Sequence, residues 1–179
     1  LSPSDAVKYK IGYLPEDRKR QGVVDIASVG HNITMSSLSE LSRYSVLNHE
    51  KEREMIQDVI QRLAIKTPTP ETLVRNMSGG NAQKCVLGRW IAANSEILIL
   101  DEATQGIDVE AKTQIYHIMD ELAKSGKAII FISSDPSEVM GISDRILTMR
   151  HGKVVNITDG KRAQRNKILW EATVGNKEE

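Results

Sequence analysis

Two short segments of this chain carry residue types that could bind a phosphate group and a metal ion. The first is Met77-Ser78-Gly79-Gly80-Asn81, a glycine-rich turn just before an expected helix. Backbone amides at a helix N-terminus attract anions, and glycines let a phosphate approach closely. The Ser78 hydroxyl adds a donor. The same residues would also form an ordinary N-cap turn, and a short glycine motif alone does not separate the two interpretations.

The second segment, Ile97 to Glu102, is more specific because an unbroken apolar run precedes two acids. Such a run predicts a strand covered on both faces, and open α/β sheets bind ligands at the carboxyl ends of their strands. Asp101 could then hold Mg²⁺, and Glu102 could polarise an attacking water. This is the pattern of a Walker B strand. The alternative is an acidic turn after a core strand.

Asp108 follows closely, and it is the predicted N-cap of a helix that begins at Val109. It could also reach a neighbouring subunit.

Composition limits the possible partners of the chain. Of its 179 residues, 40% are hydrophobic and 27% are charged, as in ordinary globular proteins. Lys and Arg together number 24, as do Asp and Glu, so charge gives no argument for a nucleic-acid partner. No apolar run approaches the roughly 18 residues that a membrane span requires, so we expect no direct membrane insertion.

The elements that must position these residues alternate along the chain. Helices are predicted over 48–65, 83–93, 109–124, 136–142 and 160–174, strands over 9–14, 97–100 and 128–132, and a hairpin around His151-Gly152. Alternating strands and helices indicate an α/β fold with a mainly parallel sheet. The helix-rich stretch from Ile33 to Ala93 predicts an inserted helical subdomain.

The order of several motifs resembles the ATPase domain of ABC transporters. These motifs are Ser78-Gly79-Gly80-Asn81, Ile97 to Glu102, Gly106-Ile107-Asp108 and Ser133-Ser134-Asp135. Three further segments, Leu14 to Lys19, Met77 to Lys84 and Gly141 to Arg145, are similar to the second half of the double-domain ATPases of bacterial monosaccharide importers. The resemblance implies a partial ABC-type P-loop ATPase fold and a role in ATP-driven sugar transport.

The resemblance also implies roles for individual residues. Ser78, Gly79, Gly80, Asn81 and Gln83 match the signature motif, which contacts ATP bound on an opposite ATPase domain. Asp101 matches the Mg²⁺ ligand, Glu102 the general base and Asp108 a contact at the dimer interface. Glu16 lies at the position of the Q-loop glutamine, and Ser134 lies at the position of the switch histidine. The cofactors implied are ATP and Mg²⁺ in the complete assembly.

The chain departs from this family at the loop that wraps the ATP phosphates. That loop needs Gly, four residues and then Gly-Lys-Ser/Thr. The Gly-Lys pairs are Gly126-Lys127, Gly152-Lys153 and Gly160-Lys161. None of them is followed by Ser or Thr, and none has another Gly five residues before its own Gly. Because the family places the loop upstream, we expect a truncated domain that is inactive by itself.

The resemblance divides the chain into four regions. They are a sheet-core strand with a Q-loop-like segment (1–32), a helical subdomain ending in the signature helix (33–95), the ATPase sheet core (96–157) and a C-terminal helical extension (158–179). Its implied partners are another ABC ATPase domain, in the same polypeptide or a homodimer, and membrane permease subunits. The implied location is cytoplasmic, at the inner face of the membrane. The alternative hypothesis is a non-catalytic remnant or docking module.

Overall fold

The computed structural model describes residues 2–175, and the chain forms two compact units, one ending at Ile130 and the other beginning at Phe131. The helices are α1 (Pro3–Lys8), α2 (Val29–Thr34), α3 (Leu38–Leu41), α4 (His49–Arg62), α5 (Gly79–Ala92), α6 (Val109–Lys124), α7 (Pro136–Ile142) and α8 (Arg165–Thr173). The strands are β1 (Ile11–Leu14), β2 (Ser42–Arg43), β3 (Val46–Leu47), β4 (Ile97–Asp101), β5 (Ala128–Ile132), β6 (Arg145–Arg150) and β7 (Lys153–Asp159). The predicted α/β class is confirmed.

A three-stranded sheet with the order β1-β4-β5 positions the acidic segment. β1 and β4 run parallel, with Ile11 opposite Ile97 and Leu14 opposite Leu100. Along the sequence, helices α2 to α5 therefore lie between β1 and β4, which are neighbours in the sheet. Leu14 and Leu100 are buried, as a core strand requires.

The strand predicted over 128–132 is present as β5, but it is not buried as its apolar sequence would suggest. Ile130 is 52% exposed and Ile132 is 44% exposed. The reason is position, because β5 is the last strand in the order of this sheet and has a neighbour on one side only. An apolar run cannot tell a central strand from an edge strand.

Helix α5 is the centre of the first unit and packs against α2, α4 and α6. Close approach depends on two of its glycines. A Cβ at Gly88 would lie 2.6 Å from Val59 Cγ1 on α4, and a Cβ at Gly80 would lie 2.6 Å from Ala111 Cβ on α6. α5 begins at Gly79, earlier than the predicted start at Gln83, because Ser78 caps it.

A buried arginine ties α5 to α2. Arg89 Nε donates to the Asn32 carbonyl oxygen at 2.9 Å, and its Nη2 donates to Asn32 Oδ1 at 3.2 Å. Asn32 is fully buried and also bonds the chain before α2, accepting from Val24 N and donating to Val24 O, both at 2.9 Å. Burial lowers the pKa of Arg89 to about 10, so the guanidinium remains charged at neutral pH.

The second unit contains the predicted hairpin. β6 and β7 pair antiparallel, and the turn His151-Gly152 has positive φ at both residues, 50° and 76°. The helix predicted over 160–174 is interrupted: a 3-10 turn at Gly160–Arg162 precedes α8. The four-region division stays a prediction; residues 158 and 159 end β7, and residues 176–179 of the predicted extension lie outside the described residues.

Candidate functional site

The turn Met77–Asn81, called the signature turn here after the motif that it resembles, is a capped helix N-terminus with an exposed serine. Ser78 Oγ accepts from the backbone N–H of Asn81 at 3.4 Å and from its side-chain Nδ2 at 2.9 Å. Asn81 Oδ1 in turn accepts from Lys66 N at 2.8 Å. The Asn81 amide therefore holds the turn rigid from within. The Ser78 hydroxyl lies on the surface, where a phosphate could approach it.

Gln83 does not share this exposure. Its side chain is 1% exposed, and its Oε1 has no hydrogen-bond partner among residues 2–175. Contact with a nucleotide would require the side chain to become accessible, and that role stays a prediction.

The acidic pair stands at the carboxyl end of β4. Asp101 Oδ2 accepts a hydrogen bond from the Tyr13 hydroxyl at 2.9 Å, across from the neighbouring strand β1. This bond is the main cause that raises the pKa of Tyr13 above its ordinary value, and burial adds to it. The Tyr13 hydroxyl therefore fixes one oxygen of the carboxylate in the way that outer partners orient metal-binding carboxylates.

Glu102 turns the chain sharply after the strand. Its φ is 46°, in the left-handed region that costs energy for a residue with a Cβ. Ala103 and Thr104 directly after it are buried. Asp101 and Glu102 are thus consecutive in the chain, but their backbones have different conformations.

Asp108 is confirmed as the N-cap of α6, and its Oδ1 accepts from Ala111 N at 2.9 Å. Together with the signature turn it borders a cleft of about 120 Å³ between α5 and α6. The cleft is lined by Lys66, Ser78, Gly80, Asn81, Lys84, Asp108, Glu110, Ala111 and Gln114. The structure thus brings Ser78, Gly80, Asn81 and Asp108 to one place.

Two lysines and two carboxylates line this cleft, so its formal charges balance. Lys66 Nζ lies 3.4 Å from Glu110 Oε1 in an exposed ion pair. Lys84 Nζ donates to the Ala64 carbonyl oxygen at 2.9 Å, and partial burial, with a smaller effect of Lys66, lowers the pKa of Lys84. Because Lys66 is paired with Glu110, and Lys84 is buried and bound to a carbonyl oxygen, the groups suited to an anion such as a nucleotide phosphate are the Ser78 hydroxyl and the helix N-terminus.

Glu16 lies in a second cleft of the first unit, whose lining does not include Ser78. This cleft measures about 360 Å³ and is lined by Glu16, Asp17, Arg18, Lys19, Gln105 and Gly106. It joins the charged loop (Pro15–Gln21) to the turn at Gly106. Ser134 belongs to the second unit, where it is exposed after β5.

Sequence reasoning missed Tyr13 and Arg18. The available signal for Tyr13 was a tyrosine in a predicted strand of the same sheet as Asp101. Only the β1–β4 register, however, shows that Tyr13 lies beside Asp101. Arg18 was visible only as one of several charges in its loop. Among residues 2–175, no three His, Cys, Asp or Glu side chains cluster as a metal site would require, and no helix there has the length and hydropathy needed to cross a membrane.

Comparison with known proteins gives one consistent family. Residues 3–105 match the ABC transporter family. The chain is 44% identical over 169 residues to the ribose import ATP-binding protein RbsA of Clostridium tetani, with 94% of this chain and 34% of that protein covered. It is 42% identical over 174 residues to the xylose import ATP-binding protein XylG of Thermoanaerobacter pseudethanolicus, with 97% of this chain and 34% of that protein covered.

Solved structures agree on the fold. An ATP-binding cassette of an ABC transporter in its ADP conformation superposes with a TM-score of 0.73 at 14% identity, covering 97% of this chain and 68% of that one. The cbiO1 protein of Clostridium perfringens, part of an ABC transporter complex, gives a TM-score of 0.70 at 21% identity, with coverages of 86% and 59%. The chain spans about a third of the length of the curated relatives it matches.

Proposed function

The chain belongs to the ABC transporter family, and from that premise we propose that it is part of an ATP-binding subunit that drives carbohydrate import. The names of its relatives, which refer to ribose and xylose import, support the substrate class. The proposed partners are a second ABC ATPase domain, in the same polypeptide or in another copy, and permease subunits of the membrane. The proposed location is the cytoplasmic face of that membrane.

The observation that carries this proposal is the exposed Ser78, whose hydroxyl caps the N-terminus of α5. In the proposed assembly this turn faces the phosphates of an ATP molecule held by the opposite domain. Such an arrangement needs no phosphate-wrapping loop in these 179 residues, and their Gly-Lys pairs provide none. The signature turn then works in trans, and Asp108 lies next to it at the domain boundary.

The acidic pair would serve a separate purpose. The half-buried Asp101 carboxylate fits a hydrated Mg²⁺ ion, because the Tyr13 hydroxyl orients it and oxygen is the ligand atom that Mg²⁺ prefers. Mg²⁺ would stabilise phosphate charge, and Glu102 would orient the water. In this proposal Ser134 would take the position of the switch histidine, and Glu16 would sense the permease.

A pair of substitutions at Ser78 tests the signature role without disturbing the fold. Asp and Asn cap helices about as well as Ser, so both Ser78→Asp and Ser78→Asn should keep the turn. Only Ser78→Asp places a negative charge where phosphate would bind. We expect Ser78→Asp to lower the ATPase rate of the full-length protein by on the order of 100-fold, and Ser78→Asn to lower it far less.

The measurements are the MgATP hydrolysis rate and the MgATP-dependent association of the ATPase domains, with melting temperature as the control for folding. Equal effects of the two substitutions on hydrolysis would sink the signature role. The second candidate, a non-catalytic docking module, is favoured by the lack of a Gly-Lys-Ser/Thr sequence. It requires the wild-type protein to neither associate with MgATP nor hydrolyse it.

A further inference from the structure

One side chain, Arg18, joins three segments of the proposed site. Its Nη1 donates to the Gln105 carbonyl oxygen at 3.0 Å, and its Nη2 donates to the Gly106 carbonyl oxygen at 3.5 Å. The same Nη2 covers the signature turn, because a Cβ built on Gly79 would lie only 2.7 Å from it. The guanidinium therefore lies between the charged loop, the signature turn and the Gly106 turn (Thr104–Asp108).

The backbone of Arg18 belongs to a capped helical turn. Arg18 opens a single π-helical turn, Arg18–Gly22, whose N-cap Asp17 accepts from Arg20 N at 3.2 Å. At the end of this turn, a Cβ on Gly22 would lie 3.1 Å from Arg18 Cβ and 3.3 Å from Val86 Cγ2 of α5. Gly22 is thus packed between the stem of Arg18 and α5, and we expect a displacement of the charged loop to move the guanidinium.

The chemistry of the contact requires arginine. A guanidinium is planar and presents parallel donors, so it can bind two successive carbonyl oxygens at once. A lysine ammonium is a point charge on a flexible stem and would hold one oxygen in a less defined position. The Gly106 turn leads directly to Asp108, so the orientation of the two bound carbonyls affects the cap of α6 and the cleft beside Ser78.

We propose that Arg18 is a positioning residue that couples the charged loop to the Gly106 turn and the signature turn. This inference rests on the proposed function, in which the charged loop senses the permease and the two turns face ATP. A shift of the loop on one side would then change the placement of both nucleotide-facing turns. Arg18 itself need not touch ATP.

The structural part of the proposal is tested by amide hydrogen exchange in the purified full-length protein, which requires no transport activity. We expect Arg18→Lys to accelerate exchange several-fold in residues 104–108 and in the first turn of α5. Arg20→Lys is the matched control, because Arg20 lies two residues away with its side chain 87% exposed, and it should leave both segments unchanged. Wild-type exchange in residues 104–108 of Arg18→Lys would overturn the proposal.

A double-substitution cycle tests whether Gly79 and Arg18 are in contact. Gly79→Ala should displace the guanidinium and accelerate exchange in residues 104–108 of the wild-type background. In an Arg18→Ala background the added methyl group meets no guanidinium, so it should cause no further acceleration there. An equal effect of Gly79→Ala in both backgrounds would contradict the coupling.

The functional part is tested with the full-length protein and its permease in lipid vesicles. We expect Arg18→Lys to reduce the stimulation of ATP hydrolysis by transport substrate at least several-fold, while Arg20→Lys retains it. If wild type shows stimulation and Arg18→Lys equals it, the coupling role fails although the proposed function stands. If wild type itself shows no stimulation, the proposed function fails and the coupling role falls with it.

Discussion

At the residue scale, Tyr13 orients the carboxylate of Asp101, the proposed Mg²⁺ ligand. Its hydroxyl donates to Asp101 Oδ2 at 2.9 Å, and removal of outer hydrogen-bond partners of metal ligands costs about 10- to 100-fold in metal affinity or activity. We expect Tyr13→Phe to raise the Mg²⁺ concentration for half-maximal ATP hydrolysis by about 10-fold or more. Tyr44→Phe is the control, because Tyr44 is 88% exposed. An unchanged Mg²⁺ dependence in Tyr13→Phe would contradict this role.

The same hydrogen bond predicts a pH effect. Because the bond raises the pKa of Tyr13 above 10.0, the folded state favours the neutral phenol. Its stabilising effect is complete below the ordinary tyrosine pKa and is lost as pH rises through the elevated value. Difference absorbance of wild type against Tyr13→Phe should show a phenol that ionises above pH 10, and ionisation at or below that value would be contrary to the assigned bond.

Residue types were predicted well where their effect is local. Asp108 was identified as an N-cap because a cap acts on the backbone three residues ahead, and the hydrogen bond is present. Tyr13 and Arg18 were missed because their partners lie far along the chain and are fixed only by strand register and loop packing. The left-handed backbone of Glu102 was equally invisible, since glutamate does not favour it.

At the element scale, packing of α4 on α5 depends on the missing side chain of Gly88. A methyl group there would lie 2.6 Å from Val59 Cγ1 and 3.3 Å from Leu63 Cδ1, within a buried contact. We expect Gly88→Ala to lower the free energy of unfolding by about 1–3 kcal/mol, the usual cost of overpacking. Chemical denaturation at constant pH measures this change.

A second helical glycine gives the matched control. Gly141 lies in α7 with nothing within 4 Å of a built Cβ. Gly141→Ala should therefore raise the free energy of unfolding by up to about 1 kcal/mol, because alanine favours helix more than glycine does. Destabilisation by both substitutions to the same extent would show that the α4–α5 contact is not what makes Gly88 necessary.

Element positions were largely predictable, whereas their surroundings were not. The bounds of α6, α7 and β5 agree with the sequence prediction because period and caps are local properties. The exposure of β5 and the break before α8 depend on neighbours and on turn geometry. The packing partners of α5 could not be predicted either, because a helix with buried residues on most sides gives no single apolar stripe.

At the scale of the whole molecule, the reactivity of Cys85 measures how often the packing around α5 in the first unit opens. It is the sole cysteine in the sequence, it is fully buried within α5, and burial raises its pKa to about 12. The folded-state pKa lies above the ordinary value of 9.0, so this thiol contributes stability below pH 9 that is lost as pH rises from 9 toward 12. At pH 8 a thiol reagent can react only when the packing around α5 opens.

The rate of Cys85 modification at pH 8 should therefore follow the population of the open state, provided that reclosing is faster than the reaction. Each 1.4 kcal/mol lost from the opening free energy gives about a tenfold faster reaction. We expect Gly88→Ala, one turn away on α5, to accelerate modification in proportion to its loss of stability, and Gly141→Ala to leave the rate close to that of wild type. The test is the reaction rate of each protein in native buffer, normalised to its rate in denaturant. Rapid modification of wild type in native buffer would mean that α5 is not closed off by α2, α4 and α6, and the rigid placement of the signature turn at its N-terminus would lose its basis.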